Sequence, residues 1–571
     1  MFSEFDFIIV GAGASGCVIA ARLAQSEKKP SVLLLEAGGK NDDASYRVPA
    51  DRFALAFREP SLNWGYKTVP QQHLKRQEID YSRGKGLGGS TAINFSCWVI
   101  GPDEDYNEWA RKVGDDAWNW TNVKQRLKKI ESYHVEVPAE HRKFVNPKAE
   151  DHGTTGPIHL SYADPWEKGM ADVFEAAQEV GMDVNLDVNS GNPIGMGMGA
   201  GCVYDGERTT AADYLKNAPP NLNIMVNSPA AEIIFSGNRA TGIRTIDGRA
   251  FSARYDVILS LGALNTPQLL MLSGIGPAKE LEKHGIPIKI EAPEIGQNLQ
   301  DHCFSTATLL RNPGTDDRST FEANSEAARA QYQKDKSGLM RTMYCGVPMG
   351  WFKNDRVLAS DEFKSLDENI QEHIKKPTVP IFEVATHTPP LYVGDYDLKP
   401  TDSYLTALSF VMNPQSTGEV TLNSADPSDA PKVDPNLLSH PFDRRVMIEA
   451  MRQTLDYLEA PAFNKSTIKM IGCPKSRSDD DIWDHCAGDL FSSWHMCSTV
   501  RMGRRDDKGA CVDPDFRLRG AQNLRIVDLS VLPLLPNNHT QSTAYLVGET
   551  AAEKMITEYG LAHEGFSQIK L

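Results

Sequence analysis

Residues 5–36 read FDFIIVGAGASGCVIAARLAQSEKKPSVLLLE, and their pattern decides the fold. Phe5 to Val10 is a buried-strand run, Gly11, Gly13 and Gly16 keep G-x-G-x-x-G spacing, and the Ala-rich stretch from Ala14 predicts a helix. A second apolar run, Ser31 to Leu35, ends at Glu36. Together they make a βαβ unit suited to a bound diphosphate. The first glycine permits a tight turn, the second lets the backbone approach the phosphates, and the third lets helix and strand pack closely. Unpaired amides and the positive end of the helix dipole then face the anion. The Glu36 carboxylate is placed to accept from both ribose hydroxyls of an adenosine. Such a unit serves FAD and NAD alike.

Working outward, 571 residues are enough for two or more cores. A net charge of −16 argues against a general nucleic-acid binder or a partner of anionic membrane. No run of 18 apolar residues is present to span a bilayer, so a soluble enzyme is expected. The chain enters its first strand without a basic segment and apolar signal core, which predicts an intracellular, cytoplasmic protein. The terminal Gln568-Ile569-Lys570-Leu571 stands one residue from a peroxisomal Ser-Lys-Leu address, a secondary expectation. Nine dispersed cysteines without a C-x-x-C pair predict reduced thiols, and no metal-ligand cluster of convincing spacing occurs.

Pro49 to Pro70 is a long connection rich in aromatics and turn formers, a pattern typical of a functional loop. It precedes Arg83-Gly84-Lys85-Gly86-Leu87-Gly88-Gly89-Ser90-Thr91-Ala92-Ile93-Asn94. These glycines supply bare amides at close range to an extended or planar ligand rather than a core. Further on, Asn312 to Lys336 and Lys353 to Lys376 predict exposed helices that form a lid or an interface. Ser403 to Asn413 and Gly418 to Leu422 predict strands around a Pro414–Thr417 turn.

The run RGKGLGGSTAIN, with GALNTPQLLMLSGIGP at Gly262 to Pro277 and GQNLQDH at Gly296 to His302, resembles the hallmark segments of the glucose-methanol-choline (GMC) flavin oxidoreductases. That resemblance implies FAD and two interleaved domains. An α/β FAD-binding domain of Rossmann-like βαβ type would be assembled from 1–160, 200–305 and 490–571. An α+β substrate domain, an antiparallel sheet covered by helices, would comprise 161–199 and 306–489. It also implies that Gly11, Gly13, Gly16 and Glu36 hold the ADP half and that the loop Gly88, Gly89, Ser90 to Asn94 lies against the isoalloxazine and pyrophosphate. Val226 would touch adenine through backbone and Asp528 the flavin chain, with Arg83 and Thr540 in the same cofactor set. Where some members link FAD covalently through a histidine, this chain has Ile93, so non-covalent FAD is expected.

The segment from Trp494-His495 to Arg501-Met502-Gly503 resembles the family's H-P-x-G-T-x-R-M-G, with Met496 for the usual proline and Ser498 for the usual glycine. The match implies that His495 is the catalytic base. The segment PNNHTQSTAYLVGE aligns His539 with the second catalytic position and is most similar to aryl-alcohol oxidases. Trp98 and Trp118-Asn119-Trp120 also resemble formate oxidases, but a carboxylate substrate calls for a fixed cation, and position 539 is not arginine. A neutral histidine suits an alcohol, whose carbon releases hydride to flavin only as its hydroxyl proton departs. His539 would orient that hydroxyl and steady the developing charge.

Trp64, Phe95, Trp98, Phe491 and Trp494 fall in segments that family topology places around the flavin, which suggests an aromatic, furanic or conjugated primary alcohol. O2 or a quinone would reoxidise the flavin. Two other readings remain open at this stage: a quinone-linked dehydrogenase of a sugar or secondary-metabolite alcohol, and a lyase or cyclase that keeps FAD without net oxidation.

Overall fold

The computed structural model describes residues 3–562, and the C-terminal Gln568–Leu571 address lies outside the described residues. The opening unit forms as its pattern requires. Strand β1 (Ser3–Val10), helix α1 (Ala14–Gln25) and strand β2 (Val32–Leu35) follow one another, and β1 pairs in parallel with β2 from Phe7↔Val32 to Val10↔Leu35. All four β2 residues are buried, consistent with the continuous apolar run of a parallel strand covered on both faces.

This first sheet has seven strands. Its parallel part contains Leu222–Met225, β2, β1, Ala250–Leu259 and the late strand Leu524–Ile526, while Ala230–Ser236 and Arg239–Thr245 extend it as an antiparallel meander. The C-terminal helix Gln541–Glu558 crosses α1 closely at Gly548, where a Cβ would stand 2.8 Å from Ser15 O. Arg22 and Glu549 tie the crossing with a 2.6 Å ion pair. The first and last hundred residues thus share one core.

The second sheet has eight strands. In order across it lie Thr467–Ile471, Cys303–Arg311, Ser403–Val411, Phe382–Thr388, Val347–Phe352, Gly195–Gly201 and Cys97–Trp98, with Phe491–Ser492 on Cys303–Phe304. Helix Pro441–Leu458 covers this sheet and is tied to it where Ser409 Oγ donates to Thr454 Oγ1 (2.8 Å). Cys97–Trp98 and Phe491–Ser492 join this sheet from stretches otherwise continuous with the cofactor part, so the chain crosses between the sheets beside the site.

One expectation changes in detail. Glu419–Thr421 does not return alongside Ser403–Val411; it pairs with Lys432–Asp434. The chain leaves the sheet at Asn413 (φ 55°), and the Gln415 and Ser416 amides donate to the buried Asp443 carboxylate instead. The two stretches read as helical do form helices, at Arg318–Ala323 and Ser325–Asp335 in the first and at Asp355–Ala359, Asp361–Lys364 and Glu368–Lys375 in the second, with the sheet strand Val347–Phe352 between them. The first helices pack on the loop at 48–53, through Phe321, Tyr332 and Met343 and an Arg329–Asp51 ion pair at 2.9 Å. All nine cysteines are unpaired. Among the described residues no helix is long and apolar enough to cross a membrane, and no group of three or more His, Cys, Asp or Glu is placed to hold a metal.

Candidate active site

A cavity of about 840 Å³ runs between the two sheets, from the N-terminus of α1 to the open face of the second sheet. At the first end each glycine of the opening motif has a separate steric reason. A Cβ on Gly11 (φ 100°) would stand 2.4 Å from Ser260 O, and one on Gly16 would stand 1.9 Å from Gly11 O. Gly13 has nothing within 4 Å of that position and lines the cavity, leaving its backbone bare to a ligand. Glu36, also in the wall, accepts from Ala12 N (2.8 Å) on one oxygen and from Gly38 N and Gly86 N (2.8 and 2.9 Å) on the other. Three amides therefore fix the carboxylate. Gly16 and Val226 lie outside the cavity wall, whereas Ser228, Pro229 and Ala230 line it just beyond Val226.

The glycine-rich loop closes over the middle. Gly88 N donates to Ala12 O (2.9 Å), and a Cβ on Gly89 would meet Gly13 Cα at 2.7 Å, so the two glycine motifs touch backbone to backbone. Arg83, Gly89, Ser90, Ile93 and Asn94 line the cavity; Gly88 supports them from behind. Asp528 lines it from the other side, held by Gly262 N (3.0 Å), Thr266 Oγ1 (2.6 Å) and Ser530 N (2.8 Å), and Thr540 completes the ring. Arg208, unmarked by any motif, secures the loop by donating to the carbonyls of Ala92 (3.1 Å) and Asn94 (2.6 Å) and to Ser96 Oγ (2.8 Å). An exposed amide cradle, a fixed acid and a long cavity fit an ADP-bearing flavin.

At the far end the two histidines meet. Their ring centroids are 5.0 Å apart at 71°, although 44 residues separate them in sequence. His495 N donates to Asp301 Oδ1 (2.7 Å), whose other oxygen accepts from Ser492 Oγ (2.6 Å). Ser498 adopts φ 70°, the left-handed region that favours glycine, so the backbone here keeps the conformation suited to the family's usual glycine although a serine occupies it. Its amide is held by Leu529 O (3.1 Å).

Each histidine has a second partner that the motifs did not assign. His495 Nδ1 lies 3.0 Å from Nδ1 of His302, and His539 Nε2 lies 2.8 Å from Glu383 Oε1. Glu383 belongs to a cross-strand row, Phe304, Phe410, Glu383 and Trp351, so its carboxylate stands among aromatic neighbours. Burial pushes the His495 pKa well below the usual histidine value, and His539, His302 and Arg83 push the same way. Burial likewise takes His302 down to about 3 and raises Asp301 to about 6. His495 is therefore held as a neutral imidazole, with Nδ1 turned to His302.

Aromatic side chains line this end, with one correction. Trp64, Phe95, Phe491 and Trp494 are in the wall, but Trp98 is not. Trp98 is fully buried, donating from Nε1 to Glu131 (2.9 Å) with its ring against Tyr545, because the short strand it occupies turns that side chain into the core. Phe53, Phe304 and Phe410, which carried no motif signal, take its place. Phe53, Phe95 and Trp494 form a strip with centroid spacings of 4.7 and 5.4 Å.

Two family models match, both described as GMC oxidoreductase, an N-terminal one over residues 5–304 and a C-terminal one over 414–548. The chain is a GMC oxidoreductase. This membership accounts for the flavin-shaped cavity, and with it the enzyme is an FAD flavoprotein. Among GMC relatives, an alcohol dehydrogenase (acceptor) from Pseudomonas putida is 32% identical, covering 98% of this chain and 97% of its own. A formate oxidase from Aspergillus oryzae superposes with a TM-score of 0.88 at 28% identity, covering 98% of this chain and 99% of its own. A fungal aryl-alcohol oxidase shares the fold, with a TM-score of 0.85 at 23% identity over 98% of this chain and the whole of that one.

Proposed function

We propose that this enzyme oxidises a primary alcohol bearing an aromatic, furanic or conjugated group to the aldehyde. The observation that carries the reading is the convergence of two histidines, one held neutral and one paired with a buried carboxylate, at the aromatic end of the cavity. FAD, held without a covalent bond by the residues of the cradle, supplies the hydride acceptor.

The proposed base role requires one tautomer of His495. His495 acts as base through Nε2 when its proton sits on Nδ1, donated to Nδ1 of His302. His302 stays neutral and acts as that acceptor, fixing both the tautomer and the ring plane. His495 then takes the hydroxyl proton as the carbon gives up its hydride. His539 donates to Glu383 from Nε2, which leaves its other nitrogen for the substrate oxygen, and the carboxylate compensates charge on the ring. The arene lies along Phe95 and Trp494.

The physiological acceptor follows two routes in proteins this chain resembles. The 32%-identical relative named for an acceptor favours a dehydrogenase, and the formate oxidase at 28% favours O2. The experiment is turnover of a benzylic alcohol with aldehyde and peroxide measured together. Equal aldehyde and peroxide in air support the oxidase reading. Aldehyde formed only with an added quinone supports the dehydrogenase, and no aldehyde under either condition overturns the alcohol reading.

A further inference from the structure

Two walls of the cavity lead away from the histidines, and both are apolar. One is the aromatic strip. From Trp494, the residue before His495, it passes to Phe95 and Phe53 at centroid spacings of 5.4 and 4.7 Å, and Phe57 follows four residues later on the short helix Leu55–Arg58. All four line the cavity. The first three are partly buried, whereas 57% of Phe57 is exposed. The strip therefore starts at the catalytic end and finishes in solvent.

The other wall is one face of the eight-stranded sheet. Phe410 packs against His539 with ring centroids 5.8 Å apart, Leu408 and Ala385 stand opposite each other in the next cross-strand pair on that face, and the strand Phe382–Thr388 runs on to Thr388, Pro389 and Leu391. At about 3.3 Å per residue, that strand carries the wall roughly 15 Å from Glu383, the partner of His539, to Thr388. Leu391, just beyond, is 42% exposed. Neither wall contributes a charged side chain to the cavity over these spans. Asp80, which lines the same cavity, has its carboxylate taken by Trp494 Nε1 (2.8 Å) and Ser82 Oγ (2.9 Å). A single exposed apolar side chain is ordinary, but two that each continue an apolar wall of one catalytic cavity mark a surface that a ligand covers.

We propose that the substrate carries an extended apolar tail on the side of its ring remote from the hydroxymethyl group, so that the preferred class is alkyl-tailed benzylic or conjugated primary alcohols rather than small or charged ones. The assignment rests on the alcohol-oxidising reading above. With the hydroxymethyl group at the two histidines and the ring on Phe95 and Trp494, the tail follows the outward walls, over Phe53 and Phe57 on one side and Leu408, Ala385 and Leu391 on the other. Each methylene that covers these walls removes apolar surface from water, which is the source of the preference. A carboxylate or a sugar in place of the tail would press polar groups against walls that hold no charged partner for them.

The test runs benzyl alcohol and its 4-ethyl, 4-butyl and 4-hexyl derivatives on the holoenzyme. The value of kcat/KM is expected to rise roughly three-fold per added methylene over the first few carbons, so that 4-butylbenzyl alcohol exceeds benzyl alcohol by about ten-fold or more. Phe57→Asp, at a position exposed enough to accept the change, sets a charge where the tail leaves the cavity. With bound FAD as the check of folding, its ratio of kcat/KM for 4-hexylbenzyl over benzyl alcohol should fall about ten-fold. An independent arm titrates n-alkylbenzenes, which have no hydroxyl to oxidise, against the visible band of bound flavin; their Kd should fall as the chain lengthens. A flat or falling trend of kcat/KM with length, or an alkylbenzene Kd that does not fall, overturns the proposal, and a gain with length that survives Phe57→Asp undiminished overturns the path assigned to the tail. Failure of every alcohol to reduce the flavin would instead overturn the alcohol reading, and the alkylbenzene arm would still decide whether the walls take an apolar tail.

Discussion

Burial and two neighbouring imidazoles push the His495 pKa down, and its Nδ1 lies 3.0 Å from Nδ1 of His302; the proposed base would be made by its surroundings as much as by its own ring. The same holds for His539. Glu383 is wholly buried, with one oxygen on the histidine and the other unpartnered, so its charge has no other protein donor to answer it. Glu383→Gln keeps the shape and removes the charge. Flavin reduction is expected to slow by roughly 10–100-fold, by analogy with the loss of the partner that orients a metal-ligating imidazole. Rapid-mixing absorbance measures it, and an unchanged rate would mean that His539 works without the carboxylate. Neither partner was legible as a functional residue in the sequence. His302 lay inside a quoted motif without a role, and Glu383 could have been flagged only as a lone acid in the apolar run Ile381–Ala385.

At the scale of elements, the glycine motifs were readable because their chemistry is local. Gly11, Gly16 and Gly89 are required by backbone contacts under 3 Å, and spacing alone announces such contacts. Aromatic residues were harder, since a tryptophan in a short strand points either way. Trp98 and Cys97 are adjacent in the same two-residue strand, and alternation sends Cys97 to the cavity and Trp98 to the core. The loop carrying Ile93 has a direct consequence for the cofactor. Ile93 lines the cavity with a side chain that cannot bond to flavin, so acid or heat precipitation should release all the yellow FAD into the supernatant. Flavin retained in the washed pellet would contradict this.

For the whole molecule, the two-sheet plan and the joining of N- and C-terminal segments followed from separated motifs, whereas long-range partners such as Arg208 and Glu383 did not. Their positions depend on long-range packing that no local pattern encodes. The buried histidines also affect the stability of the fold. His302 titrates at about 3 when folded and near ~6.5 when unfolded, so its contribution is complete above the unfolded value and is lost as pH falls toward the folded one. Asp301 and Asp489, raised to about 6 and about 7, act in the opposite direction by favouring the folded state at acid pH. A difference measurement isolates the histidine. Relative to wild type, His302→Gln should gain up to about 1.4 kcal/mol per pH unit between pH 6 and 4.5, read by denaturant unfolding of the holoenzyme. A stability difference that stays constant with pH would show that His302 takes up its proton freely in the folded protein.

The measurement that bears most directly on the mechanism is anaerobic absorbance of the holoenzyme mixed with benzylic, cinnamylic and furanic alcohols, run beside His495→Ala. The expected result is bleaching of the visible flavin band in the wild type and reduction slowed by roughly 10²–10⁴-fold in His495→Ala with FAD still bound. Reduction of His495→Ala at a near-normal rate, or a wild-type flavin that no alcohol bleaches, would contradict the role of the histidine pair.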